Sequence, residues 1–543
     1  MQNWNEYYPR PQLRRESFLS LNGSWELNGK AITLPFPPES KASGYEGELN
    51  GEMCYRRFFH LPEGFWHRGH RVILHFGAVD QVCSVQVNGR IIAHHEGGYL
   101  PFEADITDWL NLGENELVVN ATDTLSHDYP YGKQRKDRGG MWYTPVSGIW
   151  QSVWMECVPE KHIEEICITP DTRGITLNVA TKEENCTVTV GGKQWEIATN
   201  CDVRLEIENP VCWSPENPHL YDLHVTAGED AVDSYFALRT VSIQEFNGVQ
   251  RVCLNGKPIF MNGLLDQGYF VEGIYLPESP EGYARDVENM QELGFNLLRK
   301  HIKIEPEIFY YECDRRGMLV MQDMVNAGDY HFFRDTVLPT AGIRWWPDFR
   351  PGGKKRKQFF EKHCRDTQKH LYNHPCIIAY TVFNEGWGQY DADRIYTELK
   401  NNDPTRFYDA TSGWFHKKKS DVDSLHIYFR NAVLKPKERP MLLSECGGYT
   451  RAIEGHMFNV GGKYGYGKTD SEEALTDKIA EMYEIMVLPA IKAGLCGVIY
   501  TQVSDVEDEI NGLYTYDRAV CKVNKEKMRR LGEKALARLQ ESV

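Results

Sequence analysis

This sequence lacks the marks of a membrane protein, a secreted protein and a polyanion binder. No run of apolar residues is long enough to cross a bilayer. The opening residues, Met1-Gln-Asn-Trp-Asn-Glu-Tyr-Tyr-Pro-Arg10, lack the basic segment and apolar core of a leader peptide. Excess positive charge is also missing. The formal net charge is −16, which argues against a nucleic-acid partner. The short basic runs Lys354-Lys-Arg-Lys357 and Lys417-Lys-Lys419 are accounted for by solvated faces. The 14 cysteines are scattered from Cys54 to Cys521, with no CxxC pair and no dense framework. Free thiols in a reducing cytoplasm are the simplest account, and a cytoplasmic location is expected. The triplets Asn22-Gly-Ser, Asn120-Ala-Thr and Asn185-Cys-Thr are then chance matches to the glycosylation pattern. No internal repeat or low-complexity tract stands out.

What is present suits a large globular chain. At 543 residues it exceeds one ordinary core, and 25% charged with 41% hydrophobic residues is a common soluble composition. From about Glu16 the texture is short alternating segments split by turn signals, such as Arg71-Val-Ile-Leu-His-Phe76 and Val82-Cys-Ser-Val-Gln-Val87. The latter runs into Asn88-Gly89, a strong hairpin signal. This pattern predicts a jelly-roll β-sandwich over residues 1–159. A second all-β block, residues 160–245, suits an immunoglobulin-like sandwich. Its Trp213-Ser-Pro-Glu-Asn-Pro-His-Leu-Tyr221 reads as a corner between strands. Near Phe246-Asn-Gly the texture changes to strands alternating with helical segments, and residues 246–543 read as a (β/α)8 TIM barrel.

The barrel's strand candidates end in polar groups. Thr381-Val-Phe-Asn-Glu-Gly-Trp-Gly-Gln389 turns abruptly from an apolar run to Asn384, Glu385 and Gly386. Pro440-Met-Leu-Leu-Ser-Glu445-Cys-Gly-Gly448 has the same grammar. A lone strand-end glutamate is most simply a cap or a solvated group. Two of them, on the fourth and seventh strands, suggest a catalytic pair for glycoside hydrolysis: one carboxyl protonates the leaving oxygen, the other attacks or activates water. Asp266, Arg299, His301, Asp323, His426, Tyr428 and Gln502 end other strands and should converge on the same face. Trp387, Trp414 and the Trp345-Trp346 pair add aromatic faces that suit a sugar. Aromatic residues of the first sandwich, such as Tyr99 and Trp142, read as core or interface.

Together, Gly148-Ile-Trp-Gln-Ser-Val-Trp-Met-Glu156, Trp213–Tyr221, Phe295-Asn-Leu-Leu-Arg-Lys-His301, Phe383-Asn-Glu-Gly386, Leu443-Ser-Glu-Cys-Gly-Gly448 and Thr501-Gln-Val-Ser-Asp-Val-Glu-Asp-Glu-Ile-Asn-Gly-Leu513 form a specific set. Over essentially its whole length the chain resembles glycoside hydrolase family 2, the β-galactosidase and β-glucuronidase group. The resemblance implies a retaining, exo-acting β-glycosidase, with Glu385 as acid/base and Glu445 as nucleophile. It implies that Asn384 holds the sugar 2-hydroxyl and that Arg299 and Tyr428 keep Glu445 ionised. His301 and His426 would bind sugar hydroxyls, a packed structural role being the equal alternative for each. Asp266, Trp387, Trp414 and Gln502 complete the expected substrate-binding set.

Departures from the family pattern bear on the substrate. The Asn-x-Lys pair with which family glucuronidases clasp the sugar carboxylate is absent at the strand ends after Glu445. Its nearest match is Asn524-Lys525-Glu526-Lys527, and Lys300 or Lys303 is the alternative cation. Asp266-Gln267-Gly268 stands where an Arg-His pair is common. The usual Glu-x-His at the metal-binding strand end is missing. A divalent or sodium ion is allowed by analogy alone, and no cofactor or metal is expected. A shortened β-galactosidase-type enzyme acting on carbohydrate is therefore the expectation, with β-glucuronide, β-mannoside or arabinoside as competing sugars. A non-catalytic carbohydrate-binding protein is the alternative of another class. Homo-oligomerisation is expected by analogy, with no nucleic acid and no membrane partner.

Overall fold

A computed structural model describes residues 3–343, 353–428, 431–459, 461 and 464–543. Trp345 and Trp346 lie outside the described residues. The first region pairs two antiparallel sheets. One orders Leu19–Ser20, Val153–Pro159, His70–Phe76 and Phe102–Asp105; the other runs from Lys30–Leu34 through Glu52–Phe59 and Asn115–Thr122 to Arg90–Glu96. Period-two burial explains the packing: in Asn115–Thr122, Leu117, Val119 and Ala121 are buried while Val118 and Asn120 are half-buried. The Asn88-Gly89 signal is a tight hairpin with both residues at positive φ, 49° and 78°, and Val87 facing Arg90.

The second region has a three-stranded sheet (Ile163–Pro170, Gly174–Thr181, Val203–Glu206) and a four-stranded one ending in Tyr221–Ala227 and Asp230–Phe236. Its core is aliphatic, including Ile168, Leu177, Val188 and Val225. The proline-rich corner stays irregular, and its buried Trp213 donates Nε1–H to the Asp314 carbonyl at 2.7 Å, tying this sandwich to the barrel. A hairpin, Val241–Phe246 with Val249–Leu254, then straddles the boundary expected between residues 245 and 246. The turn signal at Asn247-Gly248 belongs to that hairpin. Its buried Arg251 donates to the carbonyls of Ile491 and Leu495, where the last barrel strand begins.

Eight parallel strands follow: Met261–Asp266, Leu297–Lys300, Leu319–Asp323, Ile377–Asn384, Phe407–Ser412, Asp423–Ile427, Met441–Gly447 and Leu495–Thr501. They pair in the order five, four, three, two, one, eight, seven, six, so the ladder opens between the fifth and sixth. Helices cover the outside. The segment Glu472–Met482, capped by the Ser471 side chain, continues through a wider turn at Tyr483–Val487 into Leu488–Lys492. Pro489, which has no N–H to donate, follows that widening. The closing helix Lys525–Gln540 is capped by Asn524, so the Asn524-Lys525 match to a carboxylate clasp is a helix start.

Candidate active site

The fourth strand is buried along its whole length and ends at Asn384. Glu385 then takes a left-handed backbone, φ 52°, held by its N–H bond to the Ser412 carbonyl at 2.9 Å. Gly386 follows at φ 75°, where a Cβ would sit 2.3 Å from the Phe415 ring. This turn aims Glu385 across the barrel mouth. On the sixth strand, the His426 ring fits only because Gly413 lacks a Cβ, which would lie 2.6 Å from it.

His426 stands between the two glutamates. Its Nδ1 is 2.7 Å from Glu385 Oε1, and its Nε2 is 3.0 Å from Ser412 Oγ and 3.6 Å from Glu445 Oε1. One donor atom from each of Glu385, His426 and Glu445 lies within 4.8 Å of the others, the only such metal-capable group of His, Cys, Asp and Glu found among the described residues. The His426–Glu385 hydrogen bond and the 3.6 Å approach of His426 to Glu445 account for that proximity.

Glu445 Oε1 accepts from Arg299 Nη1 at 3.2 Å, and Oε2 accepts from the Tyr428 hydroxyl. Burial pushes the Glu445 carboxyl up, but His426, Arg299 and His301 outweigh it and hold it well below the usual carboxylate range. Burial, reinforced by the Glu445 charge, keeps the Tyr428 phenol protonated and therefore a donor. The Arg299 guanidinium is fully buried and bonded through all three nitrogens: Nε to Asp323 at 3.0 Å, Nη1 to the Ser444 carbonyl at 3.0 Å as well as to Glu445, and Nη2 to Asn384 Oδ1 at 2.9 Å. That last bond orients the Asn384 amide. Asp323 also binds His301 Nδ1 at 2.7 Å. Burial, helped by the Lys133 charge, lowers His301 to about 4, so the ring is neutral near pH 7.

The other expected binding residues divide. Trp414 packs edge-on to His426, with ring centroids 5.3 Å apart. Trp387 is buried, donates Nε1–H to the Gly328 carbonyl at 2.8 Å, and packs against Tyr131 and Trp142 of the first region. Trp142 is thus interface, as read, and Tyr99 is core, its hydroxyl 2.9 Å from that of Tyr275. Gln502 is buried and donates to Glu509 and Asn511 at 3.0 and 2.8 Å. Asp266 does not join the trio. Its carboxylate binds Lys300 Nζ at 2.6 Å and the Gly268 N–H at 2.9 Å. Lys300 and Lys303 both reach Glu305 at 2.9 Å, and Lys303 donates to the Gly268 and Tyr275 carbonyls. Both lysines are buried and turned into this network, which removes them as clasps for an acidic sugar. His426, expected on sugar hydroxyls, has both nitrogens engaged by protein.

Sequence models of one family match three consecutive stretches: "Glycosyl hydrolases family 2, sugar binding domain" over residues 5–159, "Glycosyl hydrolases family 2" over 166–239, and "Glycosyl hydrolases family 2, TIM barrel domain" over 248–446. The chain belongs to glycosyl hydrolases family 2. Among relatives of this family 2 chain, a β-galactosidase of Thermoanaerobacter pseudethanolicus is 25% identical over 407 residues, 69% of this chain and 50% of the relative. A β-galactosidase of Pectobacterium atrosepticum is 25% identical over 77% of this chain and 42% of its own length. The chain spans about half the length of these curated relatives. Among solved structures, a β-glucuronidase from Dictyoglomus thermophilum is similar with TM-score 0.77 at 20% identity, covering 97% of this chain and 98% of the other. A β-galacturonidase from Eisenbergiella tayi bound to galacturonate gives TM-score 0.68 at 19% identity, covering 96% and 98%. At such identity the likeness is one of fold.

Three residues that shape the geometry or charge of this site stand outside the expected binding set. Asp323 was visible as a polar strand end, and its part in fixing Arg299 and His301 emerges only from packing. Lys133 lies in a loop with no motif signal; Glu509 lies inside the stretch 501–513, where nothing in the sequence singles it out from Glu507 and Asp508.

Proposed function

We propose that this chain is a retaining, exo-acting β-glycosidase of the β-galactosidase type. The observation that carries the reading is the facing pair. Carboxylate oxygens of Glu385 and Glu445 lie within 4.8 Å of each other, with Glu445 held as the anion. Retaining glycosidases keep their two carboxyls about 5–5.5 Å apart, whereas inverting ones leave about 6.5–9.5 Å for a water.

In the first step Glu445 attacks the anomeric carbon. The bond to the aglycone breaks with its electron pair on oxygen, and Glu385 protonates that oxygen. In the second, Glu385 takes a proton from water, the water oxygen bonds to the anomeric carbon, and Glu445 leaves as carboxylate. Two displacements on one carbon restore the original configuration. His426, 2.7 Å from Glu385, gives that carboxyl a partner in both of its protonation states. Asn384, oriented by Arg299, is set to meet the sugar 2-hydroxyl. The same reading has the enzyme in the cytoplasm, which its 14 free thiols suit, working as a homo-oligomer on carbohydrate.

β-Glucuronide is the second reading, because several similar solved structures are titled β-glucuronidases. Against it, Lys300 and Lys303 are closed into the Asp266–Glu305 network. A panel of nitrophenyl β-glycosides, including mannoside and arabinoside, with proton NMR of the first-released anomer, tests sugar and stereochemistry together. We expect turnover of the galactoside with the β anomer released first. Release of the α anomer contradicts retention, and silence across the panel with sugar binding kept favours a non-catalytic binding protein.

A further inference from the structure

The loop from residue 123 to residue 147 of the first sandwich lies across the barrel rim. Tyr131 bonds through its N–H to the Asn326 carbonyl at 3.1 Å and through its hydroxyl to the Gly328 carbonyl at 2.9 Å. Gly132 sits so close to the carbonyl of Ile302 that a Cβ there would be 3.0 Å from it. On the returning limb, the Tyr143 hydroxyl donates to Glu509, and the Thr144 N–H donates to Glu507 at 2.9 Å. Between these anchors the Lys133 carbonyl accepts from the Tyr143 N–H at 3.0 Å, so the backbone at Lys133 is held from both sides.

The Lys133 side chain is half-buried and makes no hydrogen bond or ion pair among the described residues. Its Nζ lies 6.0 Å from the centre of the Tyr143 ring, whose hydroxyl is bound to Glu509. Glu509 in turn accepts from Gln502. The hydroxyl of the preceding Thr501 lies 3.3 Å from that of Tyr428, which donates to Glu445, so this corner borders the same pocket. The Lys133 charge also acts on Glu445, His301 and Glu509. With no hydrogen-bond partner among the described residues, the ammonium keeps its donors for a ligand. Glu509 has complementary chemistry. Its Oε2 accepts from Tyr143 and from Gln502, while Oε1 takes part in no hydrogen bond among the described residues. An ammonium only donates and a carboxylate only accepts, whereas a sugar hydroxyl does both.

We infer that Lys133 and Glu509 form a two-point clamp on adjacent hydroxyls of the terminal sugar, which makes Lys133 a specificity-determining residue supplied by the first sandwich. The clamp rests on the glycosidase reading above and favours a neutral sugar, since a uronate carboxylate drawn to Lys133 would meet the acid Glu509. Lys133→Met keeps the aliphatic stem and removes the charge; Lys133→Arg restores a donor; a thermal melt checks that both fold. On the glycoside that wild type turns over best, Lys133→Met should raise KM about tenfold to a hundredfold, with a smaller change in kcat and partial recovery in Lys133→Arg. The same variant should lose nothing on the deoxy analogue lacking the hydroxyl that the lysine meets, a selectivity that a merely structural role would not produce. Glu509→Gln should show the same pattern for the neighbouring hydroxyl.

An unchanged KM across the panel, or equal losses on intact and deoxy sugars, overturns the clamp. So does a wild-type preference for glucuronide that vanishes in Lys133→Met. If wild type turns over no glycoside, the glycosidase reading fails, and direct titration with free galactose, mannose, arabinose and glucuronic acid still decides. Weaker binding of the neutral sugars by Lys133→Met supports the clamp, and equal affinity overturns it.

Discussion

Two buried charge clusters occupy neighbouring strand ends of the same barrel mouth, and they differ in how their charges are closed. In one, Lys300 reaches Asp266 and Glu305, and Lys303 reaches Glu305 and two backbone carbonyls: two acids face two cations. In the other, among the described residues, Arg299 is the one permanent cation bonded to Asp323 and Glu445, and the Glu385 carboxylate across the pocket is bonded to His426 alone. That second cluster is left with surplus negative charge, which under the proposed glycosidase reading faces the anomeric carbon as it becomes positive. Glu385 also keeps 20% of its side chain accessible, against 1% for Lys300. Burial and perturbed ionisation are therefore common to both clusters. Unused hydrogen-bonding capacity facing a pocket separates the chemical one from the structural one.

Substitutions can break this contrast or sharpen it. Glu445→Ala, which removes the attacking carboxylate, should lower kcat by about 10⁴-fold or more, with circular dichroism and melting temperature showing the fold intact. Glu385→Gln should cost about 10²–10⁴-fold on a substrate with an alkyl leaving group. The loss should be smaller on a nitrophenyl glycoside, whose leaving group needs little protonation; equal losses would argue against an acid role. Arg299→Gln removes the cation beside Glu445. The carboxyl is then no longer held so low, and the acid limb of the kcat/KM profile should move up by about 1–3 pH units. Lys300→Met, in the closed cluster, should destabilise the fold by about 3–5 kcal/mol in denaturant melts, because Asp266 and Glu305 lose a buried partner. The acid limb should stay where it is. Were that limb to move with Lys300, the division between the clusters would fail.

Much of the architecture was readable because buried strands must be apolar and their exits are abrupt. Ile377–Asn384 and Met441–Gly447 show this, each with its carboxylate at the polar end. Asn88-Gly89 was readable because only a tight turn needs two residues at positive φ. The same signal at Asn247-Gly248 is again a hairpin turn, and there it coincides with the change of texture between the second all-β block and the barrel. Side-chain pairing was the least legible part. Asp266 and His426 are both polar strand-end residues in the sequence. Only the folded chain turns Asp266 toward Lys300 and wedges His426 between two glutamates. Lys133 and Glu509 come near one another only through Tyr143, across two domains, and no local pattern can announce that.

The central claim is that Glu445 bonds covalently to the sugar while Glu385 handles the proton. A 2-deoxy-2-fluoro glycoside with a good leaving group should form that bond and release it slowly, and peptide mass spectrometry of the trapped enzyme reads where it went. The account predicts one sugar mass on the peptide carrying Glu445, absent in Glu445→Ala. A label on Glu385 or another carboxylate, or turnover with no covalent adduct, would contradict it.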